Sequence, residues 1–230
     1  METVGILCAS DTELAPFLKM MDVCRTTEKA MLRFYEGRLR QIPAVAVYSG
    51  VCRVNAAIAA ELLVEVFGVG AVVNAGTAGG IDPEARLFDT VIAEHAVYHD
   101  VAKDVLTEFQ PWMPSPDFSS GGKLLSAARR YAETAAYPIL FGTIATGERF
   151  VENRDRERIR QRFAPLAVDM ETAGAAHVCY VNRVPFVAVR SITDTGEDSG
   201  TEAFERNCER ASEIAAEVTA GLLQAWAGTQ

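Results

Sequence analysis

The chain has 230 residues, 49% of them hydrophobic and 23% charged, with a formal net charge of −9 at pH 7. That length can bury a sizeable core in one large or two small domains, and the composition is that of an ordinary globular protein. The acidic balance argues against nucleic acid or an anionic membrane as the main partner.

In chain order, Val4 to Ala9 reads as a first buried strand, and Ser10 or Asp11 as the N-cap of the helix that follows. Apolar segments recur at Met31 to Tyr35 and, after Pro43, at Ala44 to Tyr48. Ala56, Ala59, Ala60 and Leu63 stand at helical spacing, which predicts a helix from about Arg53 to Phe67. Val69 to Asn74 is a further buried strand, running into the glycine-rich turn Gly76-Thr77-Ala78-Gly79-Gly80. Phe88 to Val97 reads as a strand. Residues 107–121 form a proline-rich loop carrying Phe109, Trp112 and Met113, either mobile or covered by a second subunit.

The second half alternates helix and strand: Lys123 to Glu133, Pro138 to Thr146, Arg154 to Arg162, Leu166 to Val168 and Thr172 to Val181. The strand Phe186 to Val189 then leads to a C-terminal helix from about Thr201 to Trp226. No internal repeat or low-complexity linker interrupts this alternation, so one α/β domain over residues 1–230 is expected. The five cysteines are scattered without a CxxC pair, and reduced thiols are expected. The start of the chain lacks the basic region of a signal peptide, and no apolar run reaches the roughly 18 residues that span a bilayer. A cytoplasmic location is expected.

Two carboxylates stand out. Glu171 heads an apolar helix, among Val168, Met170, Ala173 and Ala175, and Asp194 follows a buried strand. Helix N-termini and strand C-termini share one edge of a parallel α/β sheet, where ligands bind. Two acids on one cleft suggest acid/base chemistry, although Asp194 could instead open a turn. Glu13, in the first turn of the first helix, reads in isolation as a surface acid favoured by the helix dipole. Arg190 ends a buried strand and needs a partner or a ligand.

Other signals are weaker. Gly76 to Gly80 is neither GxGxxG nor a Walker A loop, and is either a ligand cradle or a tight turn. His95 and His99 lie on a strand leading into a loop, without a third ligand, so no metal is expected. Glu152 to Arg162 reads as a solvated helix face.

Asn74-Ala75-Gly76-Thr77-Ala78-Gly79-Gly80, Tyr98-His99-Asp100, Val168-Asp169-Met170-Glu171-Thr172-Ala173 and Val189-Arg190-Ser191-Ile192-Thr193-Asp194 resemble the purine nucleoside phosphorylase/nucleosidase superfamily. Within it the chain looks like the 5′-methylthioadenosine/S-adenosylhomocysteine nucleosidases, in order and over nearly its whole length. The resemblance implies a three-layer α/β/α fold with a central twisted mixed sheet, a homodimer, a small nucleoside substrate and no cofactor. It implies Glu13 as the water-activating base, Glu171 on the ribose hydroxyls with Met170 packed on the sugar, and Asp194 at purine N7. Phe150 and Val151 would meet the base, with Thr193 beside it. Thr77, Gly79 and Arg190 would lie on the ribose side.

Departures are Asp169 where glutamate is often found, and Thr77 and Thr193 where serine is common. The segment from Lys103 to Pro116 does not align clearly, leaving the pocket for the 5′ substituent unassigned. Three rivals follow from the same residues. A phosphorylase would need clustered arginines near the ribose, yet Asn74 stands where phosphorylases of the superfamily carry arginine. A nucleoside sensor would be expected to lose one of the three acids. A dinucleotide protein would need GxGxxG.

Overall fold

The computed structural model describes residues 2–198 and 200–228, so the ends of the expected 1–230 range (Met1, Thr229 and Gln230) lie outside the described residues. The first half runs β1 (Val4–Cys8), α1 (Asp11–Met20), β2 (Met21–Lys29), β3 (Leu32–Leu39), β4 (Ile42–Tyr48), α2 (Arg53–Glu65), β5 (Ala71–Gly80) and β6 (Thr90–Tyr98). It continues with α3 (Lys103–Thr107), β7 (Asp117–Ser119), α4 (Gly122–Ala132), β8 (Ile139–Thr146), α5 (Asn153–Phe163), β9 (Ala167–Asp169), α6 (Thr172–Asn182), β10 (Phe186–Asp194) and α7 (Thr201–Ala227).

All ten strands belong to one mixed sheet, as the sequence led us to expect. Strand parity builds its two faces. Val4, Ile6, Cys8, Ala71 and Val73 join the core under α1, α4 and α7. Leu7 and Val72, one residue out of phase, join the core under α2 and α6. Helices therefore cover both faces, giving the α/β/α layering. One feature goes beyond an open sheet: β5 pairs with β1, β9 and β10, while β10 also pairs with β6. Because β6 pairs with β8 and β8 with β9, strands β5, β10, β6, β8 and β9 close into a ring. Strands β1, β4, β3 and β2 extend from it as an open flank.

Three differences from the sequence reading have physical causes. Strand β2 carries no apolar pattern in the sequence because it is an edge strand, paired with β3, in which six of nine residues are polar and seven are exposed. Gly76 to Gly80 is the end of β5 rather than a turn: these residues pair with β10 and β9. Strand β10 runs on to Asp194, and its polar end is buried throughout. A register shift between Ile192 and Asp194, paired with Ala78 and Gly79, leaves Thr193 as an extra residue in the ladder. Such a bulge bends a strand and re-aims its side chains.

Candidate active site

Glu13 is fixed by the start of α1. Ser10 is the N-cap, and its hydroxyl accepts from the Glu13 backbone N–H at 3.2 Å. This Ser-x-x-Glu spacing is that of a capping box, but the Glu13 side chain turns to the sheet. It accepts from the Ala9 N–H at 2.7 Å, and from the Thr77 N–H and hydroxyl at 2.8 Å each. The carboxylate lies so close to Gly76 that a Cβ there would overlap it, which explains the glycine in mid-strand. Glu13 is only 4% exposed, so the surface reading of this acid is set aside.

Glu171 is the N-cap residue of α6, yet its side chain caps nothing. Asp169 performs that duty, accepting from the Thr172 N–H at 3.2 Å. Glu171 is free to reach the other way, to the Cys52 N–H at 2.9 Å. Cys52 holds φ at +83°, a region costly for any residue but glycine.

Beneath these groups lies Arg190, fully buried at the middle of β10. It stands 2.9 Å from Asp169, 3.4 Å from Glu171 and 3.8 Å from Glu13, and it donates to the Asn74 side-chain oxygen at 2.6 Å. One guanidinium facing three carboxylates leaves the cluster with excess negative charge. Burial pushes the Glu171 carboxyl up to about 7, against the pull of Arg190, with Asp169 and Glu13 adding to the rise.

Asp194 is likewise buried, accepting from the Thr193 hydroxyl at 3.0 Å and from the Arg156 guanidinium. Burial raises its carboxyl above the ordinary value, and Arg156 and the Thr193 hydrogen bond oppose the rise. Arg156 corrects the reading of Glu152 to Arg162 as a wholly solvated face, because it is only 7% exposed. The Asn153 and Arg154 side chains of that run lie outside the described residues.

A cavity of about 360 Å³ is lined by Glu13, Thr77, Gly79, Phe150, Val151, Met170, Glu171, Thr193 and Asp194. Nine of the ten residues expected at a site thus share one cavity. The tenth, Arg190, is packed behind the wall, where it meets the lining residues Glu13, Asp169 and Glu171 through their carboxylates and Thr77 through its carbonyl. Sequence reading missed Asp169, Arg156 and Val51, which also line it. Asp169 was visible as the polar residue ending β9, whereas nothing local marked Arg156 among five neighbouring arginines. Among the described residues no group of three His, Cys, Asp or Glu side chains could hold a metal ion.

Residues 3–224 match the Phosphorylase superfamily model. A 5′-methylthioadenosine/S-adenosylhomocysteine nucleosidase of Geobacillus kaustophilus is 36% identical over 228 residues, covering 95% of each chain. The chain belongs to the 5′-methylthioadenosine/S-adenosylhomocysteine nucleosidase family. The nucleosidase of Neisseria meningitidis in complex with methylthio-immucillin-A superposes with a TM-score of 0.89, at 29% identity, covering 97% of this chain and 99% of that one. A futalosine hydrolase of Helicobacter pylori superposes with a TM-score of 0.88, at 25% identity, covering 97% of both chains. Both solved structures therefore share the α/β fold described above over nearly the whole chain.

Proposed function

We propose that this chain hydrolyses the N-glycosidic bond of 5′-methylthioadenosine, S-adenosylhomocysteine or both, releasing adenine and a 5-substituted ribose. 5′-Deoxyadenosine and aminodeoxyfutalosine are further substrates of the same class. The observation that carries the reading is the convergence of Glu13, Glu171 and Asp194 on one cavity from α1, the head of α6 and the end of β10. Residues 1–230 act as one domain in this reading, in a cytoplasmic homodimer.

Breaking the ribose–purine bond builds positive charge on the sugar and negative charge on the departing base. Asp194, protonated, gives its proton to purine N7 as the C1′–N9 electron pair moves onto the base. Its burial favours that neutral form. Glu13, oriented by the Ala9 and Thr77 donors, takes a proton from the water whose oxygen bonds to C1′. Glu171 accepts from the ribose hydroxyls and draws the sugar cation electrostatically. Met170 packs on the sugar, Phe150 stacks on the base, and the Val151 backbone meets the adenine edge. Thr77 and Gly79 shape the ribose side, Thr193 holds Asp194, and Arg190 fixes Glu171 and Glu13 from behind. No metal or organic cofactor is called for.

Water is favoured over phosphate by where the arginines are engaged. Arg190 is fully buried among three carboxylates, and Asn74 is taken up by Arg190, Thr172 and the Leu7 carbonyl. Of the arginines lining the cavity, Arg156 is paired with Asp194 and Arg149 with Asp155. A phosphate dianion would find no uncommitted cation among the described residues at the ribose.

The test is adenine release from methylthioadenosine in phosphate-free buffer. Release is expected, and Glu13→Gln and Asp194→Asn each lower kcat by about 10²–10⁴-fold with the fold intact. Release that appears only on adding phosphate overturns the hydrolase reading. Near-wild-type turnover in either variant removes that residue from the mechanism.

A further inference from the structure

Arg156 stands apart from its neighbours on α5. Its guanidinium forks across two elements, one Nη donating to the Gly80 carbonyl of β5 and the other to the Asp194 carboxylate of β10. The pair is almost wholly enclosed, with the two side chains 8% and 1% exposed. The Arg156 Nε is buried and has no hydrogen-bond partner among the described residues. An arginine is therefore kept in an enclosed position where its own hydrogen bonding is incomplete, and what it meets there is Asp194.

The other groups facing Asp194 do not balance this charge. Thr193 offers a neutral hydroxyl from the strand itself, and Asn207 of α7 donates to the Thr193 carbonyl. Gly79 of β5 presents backbone only, and a Cβ there would come within 3.1 Å of the Asp194 carboxylate. Asp198, after β10, contributes a like charge but is exposed and paired with Arg206 of α7. Among the described residues, Arg156 is the cation in contact with Asp194.

We propose that Arg156 is a positioning residue that holds Asp194 oriented and ionised before substrate binds, and so sets the pH range over which purine N7 is protonated. This rests on the reading of Asp194 as the acid. In each turnover Asp194 takes up one proton from solvent and passes it to N7 as the C1′–N9 bond breaks. It returns as a carboxylate to Arg156. The guanidinium works against proton uptake, in opposition to burial, which raises the Asp194 carboxyl. An opposite charge in contact typically lowers a carboxyl pKa by about 1–3 units.

The experiment compares kcat/KM of the wild type and Arg156→Met from acid to alkaline pH in phosphate-free buffer. The ratio of variant to wild type is expected to climb with pH and to exceed one at the alkaline end by about tenfold, the change for one unit of pKa. A ratio that stays flat and below one shows Arg156 to be a brace only, and overturns the proposal. Carboxyl ¹³C NMR of Asp194, assigned with Asp194→Asn, gives a readout that needs no turnover. The carbon should titrate below pH 7 in the wild type and higher in Arg156→Met, or in Arg156→Gln should the first variant fail to fold. A wild-type carboxyl still protonated at pH 7 overturns the proposal by itself. Absence of adenine release by the wild type at any pH sinks the functional reading instead, while the NMR titration still judges Arg156.

Discussion

At the scale of single residues, the site turns on how one cation is shared. Arg190 serves Asp169, Glu171 and Glu13 from a position without solvent. Removing water makes each charge costly, and a buried cluster with excess negative charge relieves itself by holding a proton. Glu171 is the member whose carboxyl rises to about 7. The sign follows directly. A raised acid is neutral below about 7 and becomes the carboxylate proposed to grip the ribose only as pH climbs through that value. Substrate binding should therefore weaken on acidification, with KM for methylthioadenosine rising as pH falls from 8 to 6. Folding stability should move the other way, because the fold favours the protonated form. The contribution is fully present below the ordinary carboxyl value and is lost as pH rises through about 7. Glu171→Gln should flatten the dependence of Tm on pH between 5 and 8. A KM independent of pH in wild type, or an unchanged Tm profile in the variant, would assign the proton elsewhere.

At the scale of elements, β5 shows how backbone makes room for chemistry. Its Gly76 lies under the Glu13 carboxylate, and a methyl group there would displace the carboxylate from the Thr77 donors. Gly76→Ala should lower kcat by about 10²-fold, the scale expected when a reacting group moves by about 1 Å. Tm should change far less than kcat, and wild-type turnover in this variant would show that Glu13 need not sit where it does. The same strand marks where sequence reading reached its limit. Buried strands such as β1, β4 and the first half of β5 were legible because burial on both faces writes a continuous apolar run. The ends of β5 and β10 were not, since Gly76 to Gly80 and, apart from Ile192, Arg190 to Asp194 are polar or small. Glu171 and Asp194 could be picked out because one heads an apolar helix and the other follows a buried strand. Glu13 had the look of an ordinary first-turn acid, and only the family resemblance singled it out. Arg156 had neither signal, because its burial depends on Asp194 and Gly80, far away in sequence.

At the scale of the whole molecule, the cavity opens beside an apolar face with no cover in a single chain. Val51, Val54 and Ile58 follow one side of α2 and its lead-in, at 49%, 67% and 44% exposure. Tyr180 and Val181 of α6, the helix packed against α2, are also exposed. In the segment expected at an interface, Phe109 and Trp112 are exposed, whereas Met113 is buried in the core, contrary to expectation. Exposed apolar residues aligned along one face of a helix and its lead-in, as Val51, Val54 and Ile58 are, mark a site of association. Val51 belongs both to this face and to the cavity lining, so a second copy seated there would also close one side of the site. We expect a dimer at micromolar concentration by sedimentation velocity. Val54→Glu should shift it toward monomer and raise KM more than it lowers kcat, because the acids proposed to do the chemistry all line the cavity from one chain. A wild-type monomer contradicts the dimer. A monomeric variant with wild-type KM shows instead that the cavity is complete in one subunit.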